Sequence, residues 1–274
     1  MSKSFIIPGS AGRPISLDFH YSEPSDPLVI FCHGFKGFKD FGIFPMIAEQ
    51  MASSGLNVIR MNFSFNGVTP ESPLDFVDLE AFSENNFSKE LDDLGLVIDW
   101  AWSEEVEWWN GEEIFLIGHS RGGGVCILKA HEDHRIKKLV TWASIGVIGR
   151  FWTDEQMEAW KREGVMLVPN ARTGQDMPIK WQMYEDFYAN QDRLDIPKAV
   201  SALRIPYLNI HSKDDETVSF QYAEDIQKLN SEHVGLVALE KGGHTFGWKH
   251  PWTEGELPTP ADYVLEQTID FLKR

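Results

Sequence analysis

The chain has 274 residues, 42% of them hydrophobic and 24% charged, and a formal net charge of −17. That length supports one large domain or two small ones with an ample core. The excess of acid argues against nucleic acid and anionic membranes, whose phosphates would repel it.

From the N-terminus, residues 4–8 and 15–21 read as strands joined by a Gly-Arg-Pro turn. Residues 28–32 (Leu-Val-Ile-Phe-Cys) form a continuous apolar run, the pattern of a strand buried on both faces. Helical spacing over 43–54 ends at Gly55, a good C-cap residue, and 57–62 is the next strand. A turn-rich loop spans 66–73. Residues 86–102 carry apolar residues at helical spacing: Phe87, Leu91, Leu94, Leu96-Val97 and Trp100. Further strands are predicted at 114–117, 136–143, 206–210 and 234–239, with helices at 122–130, 222–229 and 261–272. Repeated strand–helix alternation implies an α/β fold: a mostly parallel eight-stranded sheet with helices on both faces.

One segment breaks the rhythm. About sixty residues separate the strand ending near Ala143 from the one near Pro206, far beyond ordinary loop length. The segment is rich in aromatics and predicts helices at 154–162 and 179–189. It reads as a helical cap, 146–200, inserted into a single domain of 1–274. Such rings mostly pack on one another, but a cap must cover the mouth of the sheet. Phe151, Trp152, Trp160, Trp181 and Tyr184 lie in it, and the last four are candidate substrate-binding residues.

The two cysteines, Cys32 and Cys126, each sit in an apolar run, as small buried hydrophobes of a reducing compartment do. The first residues lack the apolar stretch of a secretory signal, and no run approaches the roughly 20 residues that span a bilayer. A cytoplasmic protein without membrane or nucleic-acid partners is expected. The acidic groups Glu104-Glu105-Val106-Glu107 and Glu112-Glu113 read as solvated, solubilising faces. His131-Glu132-Asp133-His134 has chelating spacing but lies in a polar helix end, so no metal is expected. No dinucleotide fingerprint or P-loop is present, and no cofactor is implied.

Chemistry concentrates at Gly118-His119-Ser120-Arg121-Gly122, which joins the strand at 114–117 to a glycine-rich helix start. Strand, G-x-S-x-G turn and helix make a nucleophile elbow, with a serine in a strained turn and its hydroxyl exposed. A serine hydroxyl needs a base, and the base an orienting acid; in elbow-bearing folds they follow in the order serine, acid, histidine. Sites of parallel sheets lie beyond the carboxyl ends of strands. His233 precedes its strand, and His211 belongs to a strand end before the candidate acids. His244 follows the last strand through Lys241-Gly242-Gly243 and is the candidate base, with His250 behind it. The acid belongs on the preceding loop, where Asp214, Asp215 and Glu216 stand together. An oxyanion needs two backbone donors, and Arg121 and Phe35 provide N–H groups after the serine and after His33-Gly34. His33 itself reads as a brace for that loop.

These motifs, HGFKG from His33, GHSRGG from Gly118, HSKDDETV from His211 and GGHTF from Gly242, resemble the α/β-hydrolase superfamily over nearly the whole chain. The family's acid commonly sits in H-G-x-x-D-x-x-V, which the resemblance places on Asp215, three residues before Val218. Here Ser212 replaces the glycine and Asp214 stands beside the acid. The HGF-x-G loop and the mid-chain cap look most like the feruloyl/cinnamoyl-esterase and acyl-peptidase-like branches. The resemblance implies a small-molecule ester as substrate, an acyl-enzyme on Ser120, proton transfer through His244 and hydrolysis by water. Peptidase, amidase and thioesterase activities use the same residues. Dehalogenases and epoxide hydrolases carry aspartate where Ser120 stands. A non-catalytic binding protein of this fold would be expected to lack part of the set.

Overall fold

The computed structural model describes residues 2–103, 108–149 and 152–274. In chain order the elements are β1 (Ser2–Pro8), β2 (Pro14–His20), β3 (Leu28–Cys32), α1 (Phe44–Ser53), β4 (Asn57–Met61), α2 (Leu79–Ser83), α3 (Phe87–Ala101), β5 (Ile114–His119), α4 (Arg121–Glu132) and β6 (Ile136–Trp142). They continue with α5 (Asp154–Glu163), β7 (Val165–Asn170), β8 (Gln175–Lys180), α6 (Gln182–Ala189), α7 (Ile196–Ala202), β9 (Tyr207–Ser212), α8 (Gln221–Leu229), β10 (Val234–Leu239) and α9 (Thr259–Lys273). The acidic group at 104–107 and Phe151 lie outside the described residues.

Eight strands form one sheet in the order β1-β2-β4-β3-β5-β6-β9-β10. Only β2 runs against its neighbours, and the other pairings are parallel. The α/β architecture expected from the strand–helix alternation is therefore the one observed.

Strand side chains alternate between two faces, so an all-apolar strand feeds two cores at once. Val29, Phe31, Val58, Phe115, Ile117, Val140 and Trp142 pack with Phe44, Ile47 and Met51 of α1 and Val264 and Leu265 of α9. Their chain neighbours Ile30, Cys32, Ile59, Leu116 and Leu139 point the other way, onto Leu94 of α3, Cys126 of α4 and Ile226 of α8. Both cysteines are free and buried. Among the described residues, no helix is long and apolar enough to cross a membrane.

The 146–200 segment differs in part from its purely helical expectation. The predicted helix at 154–162 is present as α5, whose Thr153 and Gln156 form a reciprocal capping box. The predicted helix at 179–189 is shorter. Ile179 and Lys180 belong to β8, which pairs antiparallel with β7, and α6 begins only at Gln182. Two signals for that hairpin stand in the sequence: the run Val165-Met166-Leu167-Val168 and the Thr173-Gly174 turn, where Gly174 N–H donates to Asn170 O at 2.8 Å and φ is +70°. The short α2 and α7 have no counterpart among the predicted helices, each being too brief for a helical period to register.

The segment is pinned to the domain by polar contacts. Lys36 Nζ donates to Pro169 O at 2.9 Å, Gln182 Nε2 to Asn85 O at 2.9 Å, and Lys180 pairs with Glu80 and Glu84. It thus rests on the loop after β3 and on the stretch from α2 to α3.

The tightest backbone approach lies where α4 starts. A Cβ on Gly122 would stand 2.4 Å from His33 O and 2.5 Å from Cys32 O, and one on Gly118 would stand 2.4 Å from Gly122 O. Gly122→Ala is therefore expected to lower unfolding stability by about 3 kcal/mol or more. Gly255→Ala, where an added Cβ meets nothing within 4 Å, should change it by less than about 0.5 kcal/mol. Urea denaturation of the two variants checks this, and equal midpoints would contradict it.

Candidate active site

Ser120 stands between β5 and α4 with φ 56° and ψ −119°, a conformation that non-glycine residues rarely adopt. Its neighbours hold it there. Its N–H donates to Trp142 O at 2.9 Å, and its carbonyl accepts from Gly123 N at 3.0 Å.

His244 reaches this hydroxyl from the turn after β10, with Nε2 at 3.0 Å from Ser120 Oγ and Nδ1 at 2.8 Å from Asp215 Oδ2. Two contacts fix the turn itself. Asp214 Oδ1 accepts Gly242 N at 3.0 Å, Gly243 N at 2.8 Å and Ser212 Oγ at 2.5 Å. His119 Nε2 donates to His244 O at 3.0 Å. Ser212 and Gly243, through their bonds to Asp214, hold that carboxyl below the usual carboxylate range. The adjacent acids thus divide the work: Asp215 touches the imidazole, while Asp214 ties down the turn that carries it. Glu216 is exposed and makes neither contact.

Asp215 is fully buried at its side chain. Oδ1 accepts the N–H groups of Thr217 and Val218 at 2.8 and 2.9 Å, and His211 Nε2 lies 3.1 Å from Oδ2. Burial opposes its charge, but the His211, His244 and Val218 donors outweigh burial and hold the carboxyl well below the ordinary carboxylate range.

The loop after β3 lies against the elbow, since a Cβ on Gly34 would meet Ser120 Cβ at 3.0 Å. Phe35 follows Gly34 and Arg121 follows Ser120, so both expected donors sit on residues that flank the serine. His33 braces this loop as the sequence suggested: Nδ1 donates to Gly34 O at 2.9 Å, and Nε2 faces Asn66 Nδ2 at 3.3 Å. The Arg121 side chain turns away from solvent, with Nε on Glu90 Oε2 at 2.8 Å and its guanidinium 3.9 Å above the Phe87 ring. Burial pushes the Glu90 carboxyl up, although Arg121 and Asn85 oppose it. His250, the alternative base, accepts Gly42 N at 2.9 Å and stacks on Phe41.

A cavity of about 230 Å³ opens beside Ser120. Phe35, Phe87, Ile145 and Val218 wall it from the domain, and Trp152, Val168, Ile179 and Met183 from the 146–200 segment. Of the four aromatic candidates only Trp152 lines it. Trp160 is buried in the core with its Nε1 on Ile179 O at 2.8 Å, edge-on to Trp181, which stacks on Tyr184 at 4.6 Å. Those three rings spend their faces on one another and do not line the cavity. The aliphatic wall contributed by Val168 and Ile179 follows from the β7–β8 hairpin, which the helical expectation for this segment does not contain.

The polar run at 131–134 is engaged elsewhere. Glu132 pairs with Lys129 and Arg193, and Asp133 with Arg135. Among the described residues no group of three His, Cys, Asp or Glu side chains is placed to hold a metal ion.

This arrangement can move a proton from Ser120 Oγ to His244 with a fixed carboxylate behind the ring, facing an apolar cavity. It also carries an acid liability. Burial pushes His33 down to about 4 and His119 down to about 3, so both stay neutral in the folded chain. The unfolded chain takes up protons on them near 6.5. Their contribution to stability is therefore full above about pH 6.5 and is lost as pH falls toward 4 and 3. The urea midpoint should drop between pH 6.5 and 4, with a shallower drop in His119→Gln; identical slopes would refute the assignment.

A family profile described as alpha/beta hydrolase fold matches residues 27–191. The chain is 24% identical over 237 residues to an uncharacterised 31.7 kDa Escherichia coli protein of the traX-finO intergenic region, covering 82% of this chain and 76% of that one. Its fold is similar to the esterase domain of a Rhodothermus marinus protein (TM-score 0.65, 19% identity, 99% and 97% of the two chains). It is also similar to Est1E from Butyrivibrio proteoclasticus bound to ferulic acid (TM-score 0.72, 17% identity, 98% and 100%). As its motifs implied, the chain belongs to the alpha/beta hydrolase fold family.

Proposed function

We propose that this protein is a serine hydrolase that cleaves small carboxylic esters. The observation that carries the reading is the unbroken hydrogen-bonded line from Ser120 Oγ to His244 to Asp215, at 3.0 and 2.8 Å, beside the apolar cavity. Ser120 Oγ attacks the ester carbonyl while His244 Nε2 takes its proton. The N–H groups of Phe35 and Arg121 receive the developing oxyanion, aided by the positive N-terminal end of α4. The C–O bond of the leaving alcohol breaks as His244 returns the proton to it. Water, deprotonated by the same ring, then releases the acid from Ser120. Asp215 keeps the ring oriented and stabilises its transient positive charge.

Residues 146–200 act as an inserted cap on the single domain, and its aliphatic hairpin selects the acyl group. A cavity of about 230 Å³ walled by Phe35, Phe87 and Trp152 suits a compact or aromatic acyl chain over a long fatty one. The ferulic acid held by a protein of similar fold supports an arylalkenoyl ester as first choice. We place the protein in the cytoplasm, on the strength of two free, buried thiols.

Ser120→Ala should reduce p-nitrophenyl ester hydrolysis by about 10⁴-fold. A fluorophosphonate probe should label Ser120 in the folded protein. A folded but unlabelled protein would favour a non-catalytic binder. Asp215→Asn should cost far more than Asp214→Asn, and the reverse order would move the acid by one residue.

A second test addresses the cap. Val168→Trp fills the cavity from β7, and should lower kcat/KM for aryl and medium-chain esters while sparing acetyl esters. An unchanged chain-length profile in that variant would place the acyl group elsewhere. Amide and thioester substrates in the same panel decide between esterase, peptidase and thioesterase chemistry.

A further inference from the structure

Asp215 Oδ2 receives two imidazoles. His244 stands at 2.8 Å, and His211, the next-to-last residue of strand β9, stands at 3.1 Å with both its side chain and that of Asp215 wholly buried. With Thr217 and Val218 N–H on Oδ1, four donors surround one carboxylate. That matches the roughly four acceptor positions an ionised carboxyl offers.

The tautomer of His211 follows from its surroundings. Nε2 lies 2.9 Å from Val218 O as well as 3.1 Å from Asp215 Oδ2. Both neighbours only accept, so Nε2 carries the proton: its hydrogen bond goes to Val218 O, and the same N–H lies close to Asp215 Oδ2. Nδ1 is buried with no partner. A bare lone pair there costs less than an unpaired N–H, so the ring is neutral. The backbone leaves it no other place: His211 pairs in register with Ala238 of β10, and Phe220 meets the ring edge-on at 5.9 Å. Because His211 is built into the strand, it cannot swing to Ser120 as a base. The same rigidity makes it a fixed donor.

We propose that His211 is a positioning residue that holds Asp215 Oδ2 and, by sharing its charge, keeps His244 unprotonated and able to act as a base near neutral pH. This rests on the proposed roles of Ser120, His244 and Asp215. A neutral donor on the carboxylate draws off part of the negative charge that would stabilise the imidazolium of His244. Remove the donor, and His244 holds its proton to higher pH. The other titratable groups around these rings leave this unchanged. His119, 4.9 Å from the His244 ring centroid, stays neutral through burial and donates to the His244 carbonyl. Asp214 is committed to Gly242 and Gly243.

The test begins with the wild-type protein and needs no turnover. ¹⁵N NMR of the labelled histidines should find His211 protonated at Nε2 and bare at Nδ1 from pH 6 to 9, and the opposite tautomer would overturn the proposal. His211→Met removes the donor at similar volume, and His211→Gln keeps an N–H near Nε2. In the Met variant the acid limb of kcat/KM should move up by about one pH unit, and kcat fall about tenfold at unchanged KM; the Gln variant should restore both. His211→Asn, whose amide is too short to reach Asp215, should behave as Met does if the Met variant folds poorly. A folded Met or Asn variant with the wild-type acid limb would sink the idea. The His244 titration followed by NMR should rise in the same variants even if no ester is turned over. Failure of the ester reading and failure of the His211 role therefore leave different signatures.

Discussion

Everything chemical in this molecule hangs on one close approach of backbone to backbone. The first turn of α4 crosses the end of β3 so tightly that Gly122 faces the carbonyls of Cys32 and His33 with no room for a methyl group. That contact forces Ser120 into its positive-φ turn and lifts its hydroxyl off the sheet. It also draws the loop at Gly34 and Phe35 against the serine. Ser120 and the loop of Gly34 and Phe35 are thus placed by a single steric event, and side-chain contacts only complete it.

Around that point the protein uses polar groups, two of them buried histidines, as scaffolding. Asp214 caps the turn carrying His244, His119 holds that residue's carbonyl, and His33 braces the loop of Phe35. The two histidines are buried and neutral, as polar groups in a low-dielectric interior must be unless paired, while Asp214 works at the surface with three donors on one oxygen. At the cavity wall Arg121 has its charge met by Glu90 and its face laid on Phe87.

Much of this was legible in the sequence because the signals were short and local. A five-residue apolar run such as 28–32 has one reading, and an elbow between strand and glycine-rich helix has one geometry. The order of serine, acid and histidine, with the need for a base beyond the carboxyl end of a strand, favoured His244 among four histidines. What stayed hidden depends on contacts between distant segments. Nothing local marks Trp160 as core and Trp152 as cavity wall, because their difference lies in which partner each meets. The β7–β8 hairpin is masked by the helical spacing of the aromatics that follow it, and the contact of His211 with Asp215 arises only when β9 and its loop fold back on each other.

The 146–200 segment leaves the sheet after β6 and returns at β9, and those two strands are hydrogen-bonded neighbours. The sheet closes without any contribution from the residues between them. Length and composition can therefore drift in that interval while every strand register, and the placement of Ser120, Asp215 and His244, is left intact. A lineage with this topology is free to try new walls around an unchanged reaction, one excursion at a time.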